Sequence, residues 1–303
     1  MSPATRYLTD PRQNRLFAAL AEAELERLRP LLEPVQWSVG QVLCESGAPL
    51  THVYFPTTAI VSLLHMTQDG GSAEVAVVGN DGVVGVSLFM GGNATQSQAV
   101  VQGAGHGLRM SADAVREEIE RAGPALQTML HYAQAMIAQV AQTAMCNRYH
   151  SIDQQLARRL LLTLDRSPSD EVAMTQEALA HLLGVRREGV TAAALKLQTA
   201  GVIRYSRGHI AVLDRARLEH HTCECYGVVR KEYDRLLPVL PVRAMAAPMP
   251  VPAGRVVPFD APSKSRPPAA AIKLLKGVVP VFDGLVTWSA LRRQRGVEPL
   301  SAA

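Results

Sequence analysis

Apolar positions recur at two different periods along this chain. From Arg12 to Leu32, residues Leu16, Ala19, Leu20, Ala23, Leu28 and Leu31 follow a helical spacing that Pro34 ends. From Val35 to Met110 the apolar runs shorten to strand length, at 39–43, 52–55, 59–65, 73–78, 83–88, 98–101 and 107–110. Ser46-Gly47, Asp69-Gly70-Gly71, Asn80-Asp81-Gly82 and Gly91-Gly92-Asn93 punctuate them. Short strands at such regular intervals predict a small barrel or roll.

Helical spacing returns at Ser111, which is placed to cap a short helix over 112–121, and Gly123-Pro124 opens a longer one. On the longer helix Leu126, Leu130, Ala133, Ile137, Val140 and Ala144 are four and three apart alternately, a heptad seam, with Met129, Met136 and Thr143 beside it. One stripe is expected to cover the roll and the other a twin helix, so the chain is expected to form a homodimer. A helix over 151–164 carries Ile152, Leu156, Leu160 and Leu164, with Arg158 and Arg159 placed on its outer side. A last helix is expected from about Arg215 to Leu237. The fold class is α+β.

Between these two helices, MTQEALAHLLGVRREGVTAAALKLQTAGVIRYSRGHIAVL (174–213) has the spacing of a helix-turn-helix followed by a β-hairpin wing. Thr175 is a capping residue, Leu179, Leu182 and Leu183 form an apolar face, and Ala180 is small enough for a second helix to cross closely. Gly184 supplies the turn and Gly201 the end of the second helix, which buries Val190, Ala193 or Ala194, and Leu197. Arg186, Arg187, Glu188 and Thr191 occupy the first two turns of that helix, the part that reaches base edges in a major groove. Residues 202–205 and 209–212 read as the wing, whose Arg204 and Arg207 suit phosphate contact. Seven Lys or Arg against four Asp or Glu between Met174 and Glu219 favour the same partner, double-stranded DNA.

Charge has to be divided along the chain before it means anything. The net charge is +4, yet residues 240–303 alone carry nine basic and three acidic side chains, so the rest of the chain is slightly acidic. The high pI therefore belongs to a tail whose nine prolines between 238 and 268 exclude helix and sheet and predict disorder. No run is long and apolar enough for a membrane span and no secretory signal opens the chain, which predicts a cytoplasmic protein without membrane contact. Four cysteines, Cys44, Cys146, Cys223 and Cys225, do not make a disulfide framework. No nucleophile–base pair or phosphate-cradling glycine loop appears at a usable spacing, so no enzymatic activity is expected.

Roll, long helix and winged helix-turn-helix, in that order over about Arg15 to Leu237, resemble the cyclic-AMP receptor protein and FNR (Crp/Fnr) family of bacterial transcription regulators. Val185-Arg186-Arg187-Glu188-Gly189-Val190 carries the likeness most specifically. By that likeness Arg187 would donate to a guanine and Glu188 accept from a cytosine amine. The family's next arginine falls on Ala192, so half-site specificity should differ. The resemblance also implies an effector pocket in the roll, with candidates Gly85, Val86, Ser87, Gln96 and Ser97. Cyclic-nucleotide binders of the family place a Glu and an Arg-Ser or Arg-Thr pair there. Here Val86 stands for the glutamate, Gln96-Ser97-Gln98 for the arginine cassette, and no Lys or Arg occurs between Arg29 and Arg109. Tight cyclic-AMP binding of the usual kind is therefore not expected, and the effector is unspecified. RNA polymerase is among the partners such a regulator would meet.

The resulting division is a sensor roll over 12–121, a dimerisation helix over 122–149, a DNA-binding domain over 150–237 and a basic tail over 238–303. Two other readings compete. In one, His220-His221-Thr222-Cys223-Glu224-Cys225 is a metal or redox sensor, with His221 and Cys225 sharing a helix face; in the other, an effector-binding interaction module carries a vestigial DNA domain. With a single cysteine, Cys44, in the roll, no iron–sulfur cluster is expected there, His52, His65 and His106 read as ordinary strand or turn residues rather than haem ligands, and no cofactor is called for.

Overall fold

The strands of the N-terminal half pair antiparallel in two sheets. In the computed structural model, which describes residues 10–68, 70–167 and 169–238, they are β1 (Glu33–Trp37), β2 (Val42–Cys44), β3 (His52–Pro56), β4 (Ile60–Met66), β5 (Ser72–Val78), β6 (Gln98–Gly103) and β7 (Gly105–Ser111). The sheet orders are β1-β7-β3 and β2-β6-β4-β5, and Val53, Phe55, Val61, Val77, Val101 and Leu108 fill the space between them. Trp37 closes one end, with its ring so near Gly107 that a Cβ there would lie 2.3 Å from it. The residues of the predicted tail beyond 238 lie outside the described part.

Three expectations change here. The single helix expected over 12–32 is broken into 3-10 turns at Pro11–Gln13 and Arg29–Leu31 and two helices, α1 (Arg15–Ala18) and α2 (Glu22–Leu28). Asn14 causes the first break: it is fully buried, its side chain accepts from Leu16 N, and its amide donates to Pro56 O and Gly82 O at 2.8 Å each. Leu16, Leu20 and Leu28 are buried as expected, whereas Ala23 and Leu31 face solvent. Strand β1 lacks alternation and contains Pro34, which an edge strand tolerates because nothing needs its missing N–H. The run 83–88 is not a strand. Val84 makes one bridge to Tyr54, then Gly85 at φ 91° turns the chain into a 3-10 segment, Val86–Met90.

Helix α3 (Ala112–Arg121), capped by Ser111, leads to the long α4 (Pro124–Tyr149). One face of α4, with Met129, Tyr132, Met136, Gln139 and Cys146, is buried within the chain. Much of the heptad seam is not: Leu130, Ile137 and Val140 are 43%, 64% and 36% exposed, while Ala133 is buried.

Helix α5 (Ile152–Leu164) begins with a full capping box, Ser151 and Gln154 each bonding the other's backbone. Arg158 and Arg159, expected on the outside, are buried, because Arg158 faces Thr143 on α4 and Arg159 reaches Glu74 on β5. Arg159 Nη2 donates to Glu74 Oε2 on β5 at 2.9 Å, Nε lies 2.6 Å from Oε1, and the guanidinium also reaches Ser62 and Thr163. Arg166, just past the helix, forms a second buried pair with Asp81 at 2.7 Å. Leu156, Leu160 and Leu161 are fully buried on the same helix; each contributes about 1.5–3 kcal/mol, an upper estimate.

The rest is α6 (Gln176–Leu183), α7 (Arg187–Thr199), α8 (Arg215–His221) and α9 (Glu224–Leu236), with the small sheet β8 (Glu171–Ala173), β10 (His209–Val212), β9 (Ile203–Ser206) in that spatial order. The last helix, expected to be continuous, breaks at Thr222.

Candidate nucleic-acid interface

The helix pair α6–α7 is built by local chemistry. Thr175 Oγ1 accepts from Ala178 N at 3.1 Å, capping α6, and Gly184 ends it at φ 65°. Ala180, Leu182 and Leu183 are buried beneath α7, which sends Val190, Ala193, Ala194 and Leu197 inward. Arg186, expected in the first turn of α7, is instead its N-cap, and the helix starts at Arg187. Its first turns expose Arg187, Glu188, Thr191 and Ala192, followed by Leu195 at 61% exposure, and these five line one shallow concavity. Thr191 Oγ1 is bound on both sides, to Arg187 O at 3.0 Å and to Gln176 Oε1 at 2.7 Å. Gln176 therefore joins the two helices at this surface, a part that sequence reasoning missed; its position beside the cap was the available signal.

The wing is a two-residue hairpin. Ser206 pairs with His209, and Arg207 and Gly208 both have positive φ, 48° and 82°, the combination a type I′ turn requires. Arg204 and Arg207 are exposed. Strand β8, which sequence reasoning missed, anchors the hairpin through Val172↔Ile210, and Met174 N donates to Gly208 O at 2.7 Å. Gln198 Oε1 accepts from Tyr205 N at 3.0 Å and ties α7 to the wing.

In the roll, the two stretches of the expected effector pocket differ in setting. Gly85, Val86 and Ser87 sit at the start of the 3-10 segment, with Ser87 Oγ buried and without a hydrogen-bond partner. Gln96 is exposed, its carbonyl accepting from Ser46 Oγ at 2.7 Å, and Ser97 is buried. No hydrogen bond joins the two stretches among the described residues. Gln98 donates to Glu45 at 2.8 Å. The two buried arginines that reach the roll, Arg159 and Arg166, are engaged by Glu74 and Asp81.

Two family models match the chain. Residues 34–122 match the cyclic nucleotide-binding domain and residues 154–221 the Crp-like helix-turn-helix domain, together more than half of its length and in the order the fold displays. The chain belongs to the Crp/Fnr family. As such it is a transcription regulator with a helix-turn-helix DNA-binding domain. Solved structures agree in fold. A Crp/Fnr-family transcriptional regulator from Eubacterium rectale is 17% identical at a TM-score of 0.54, over 69% of this chain and 98% of its own. FixK2 from Bradyrhizobium japonicum is 16% identical at 0.54, over 63% and 98%. The c-di-GMP-responsive global regulator CLP from Xanthomonas campestris is 16% identical at 0.52, over 63% and 99%. No curated protein matches the chain. Among the described residues no helix is long and apolar enough to cross a membrane.

The cysteines of this Crp/Fnr chain do not follow the expected pairing. His221 ends α8 in solvent, apart from the thiols. Thr222 and Cys223 are extended, and Cys223 and Cys225 instead meet Cys146 and His150 at the end of α4, all four ligand atoms lying within 4.8 Å of one another. The hydrogen bond between Cys146 and Cys223 pulls the Cys223 thiol down and pushes the Cys146 thiol up, while burial pushes Cys225 up. No sequence spacing could have joined residues so far apart.

Proposed function

We propose that this regulator binds operator DNA as a homodimer, reading bases through α7 and phosphates through the wing. The observation that carries the reading is the exposed face made by Arg187, Glu188 and Thr191 on α7, together with the exposed Arg204 and Arg207 on the hairpin that follows. Arg187 would donate to guanine N7 and O6 and Glu188 would accept from a cytosine N4 amine; Thr191 is held ready by Gln176. Arg186, the α6 terminus at Thr175, Arg204 and Arg207 would position the backbone. With Ala192 and Leu195 next on that face, thymine methyl contact would replace a further polar readout.

Pairing of two copies is supported by the α4 seam. Leu130, Ile137 and Val140 form an apolar stripe that the other described residues leave exposed, and a twofold dimer places two recognition helices on half-sites about one helical turn apart. The reading divides the chain as a sensor roll over 12–121, a dimerisation helix over 122–149 and a DNA-binding domain over 150–237. The roll would take an effector without a phosphodiester, since the two buried guanidinium groups that reach it, those of Arg159 and Arg166, are already neutralised by Glu74 and Asp81. RNA polymerase would be met at the promoter.

The test is binding selection from random duplexes at near-physiological salt, comparing wild type with an Arg187→Ala, Glu188→Ala double variant. An enriched palindrome that the variant fails to select is the expected result. Selection of the same palindrome by both proteins would remove α7 as the reading element.

A further inference from the structure

Cys146 and His150 are one helical turn apart, so they share a face at the C-terminal end of α4. Across from them the break at Thr222 turns Cys223 and Cys225 the same way. Cys146 Sγ lies 3.6 Å from Cys223 Sγ, and Cys225 Sγ lies 3.5 Å from His150 Nδ1. An ion with metal–sulfur bonds of about 2.3 Å at the centre of a tetrahedron has ligand atoms about 3.8 Å apart, so these spacings need little adjustment. A disulfide would need sulfurs at about 2.05 Å and would strand the third thiol. An iron–sulfur cluster would spread its thiolates wider than this group does.

The surroundings point to an ion as well. His150 Nε2 is 3.3 Å from Glu224 Oε1, the carboxylate that orients an imidazole and leaves its other nitrogen to coordinate. Gln155 Nε2 donates to His150 O at 2.9 Å and Cys146 O at 3.4 Å, holding the backbone that carries both ligands. Arg158 is buried facing the three thiols, with Nη2 on Thr143 Oγ1 at 3.1 Å and Nε unpartnered. Among the described residues it has no ion-pair partner. A buried cation with no counter-ion is costly; a dication held by three thiolates and one neutral imidazole carries a net −1, which Arg158 would balance.

We propose that Cys146, His150, Cys223 and Cys225 bind a single zinc ion that staples the start of α9 to the end of α4. Sulfur and imidazole donors select zinc over magnesium or calcium, and four protein ligands leave no open position, so the ion is structural rather than catalytic. The staple lies where the long helix gives way to the DNA-binding domain, and metal occupancy sets how firmly α8 and α9 hold to α4. The DNA reading stands without it.

The experiment is elemental analysis of the full untagged chain, purified under reductant without chelator, followed by cobalt(II) titration of the stripped protein. About one zinc per chain is expected, and one equivalent of cobalt should give thiolate charge-transfer bands and the ligand-field spectrum of a tetrahedral site. Cys223→Ser should abolish stoichiometric binding, Cys44→Ser should leave it intact, and Glu224→Gln should weaken affinity about tenfold to a hundredfold. If Cys223→Ser fails to fold, the titration of stripped wild type decides alone. Zinc below about a tenth of an equivalent with no cobalt bands would overturn the proposal. So would several irons per chain, or binding that survives Cys223→Ser.

Discussion

Removing the Arg166 guanidinium should destabilise the whole chain. The group is buried and fully used: Nε donates to Asp81 Oδ1 at 3.0 Å, Nη1 to Leu162 O at 2.8 Å and Nη2 to Gln139 Oε1 at 3.1 Å, with Asp81 Oδ2 2.7 Å from Nη2. Its Cζ stands 5.2 Å from the centroid of the Tyr233 ring. Burial opposes the charge, but Asp81, Tyr233, Asp165 and Tyr132 together more than offset this, and the guanidinium is held charged more firmly than usual. Arg166→Met would leave the Asp81 carboxylate buried without a cation and Gln139 Oε1 without its donor. Breaking such a pair costs about 3–5 kcal/mol, whereas replacing both members with apolar residues costs far less. Urea unfolding at one fixed protomer concentration, with Arg166→Met, Asp81→Leu and the double variant, measures both numbers. The expected coupling between the two sites is at least about 2 kcal/mol, read from the double-mutant cycle. A loss below about 1 kcal/mol for Arg166→Met, or additive single effects, would refute the claim that this pair cross-links roll, long helix and DNA-binding domain.

Three further outcomes test other elements. Ile137→Ser should weaken dimerisation about a hundredfold or more by sedimentation equilibrium, since each copy forgoes about 1.5–3 kcal/mol of burial; an unchanged dimer would place the interface elsewhere. Arg207→Asn suits the left-handed turn residue it replaces, so folding stability should rise, while the slope of log affinity against log salt should fall by about 1.8 for two phosphate contacts per dimer. An unaltered slope would take the wing off the phosphates. Gly184→Val should cost at least about 1–2 kcal/mol in thermal unfolding, because it forces a β-branched residue to positive φ where even its Cβ would already be 3.4 Å from that of Ala73; a neutral result would mean the turn can relax.

What the sequence determined by itself was much of what contacts a few residues apart govern. The Thr175 cap, the Gly184 turn, the inward set Val190, Ala193, Ala194 and Leu197 and the Arg207-Gly208 hairpin are local chemistry, so the helix-turn-helix and its candidate reading face were legible before any coordinates. The two stripes of α4 were legible for the same reason, since helical periodicity assigns faces even though it does not name what covers them. Tertiary structure decided the rest. Burial of Arg158 and Arg159 could not be read from their helix, because the carboxylate that pairs with Arg159 is Glu74, brought close only when α5 docks on the roll. Asn14 breaks a helix that periodicity would continue, by hydrogen-bonding to distant backbone carbonyls. The thiols of Cys223 and Cys225 became a site only when the chain turned at Thr222 and met Cys146 and His150. A local pattern constrains backbone conformation within a few residues, while pairing of charges and ligands depends on distances that only the packed chain sets.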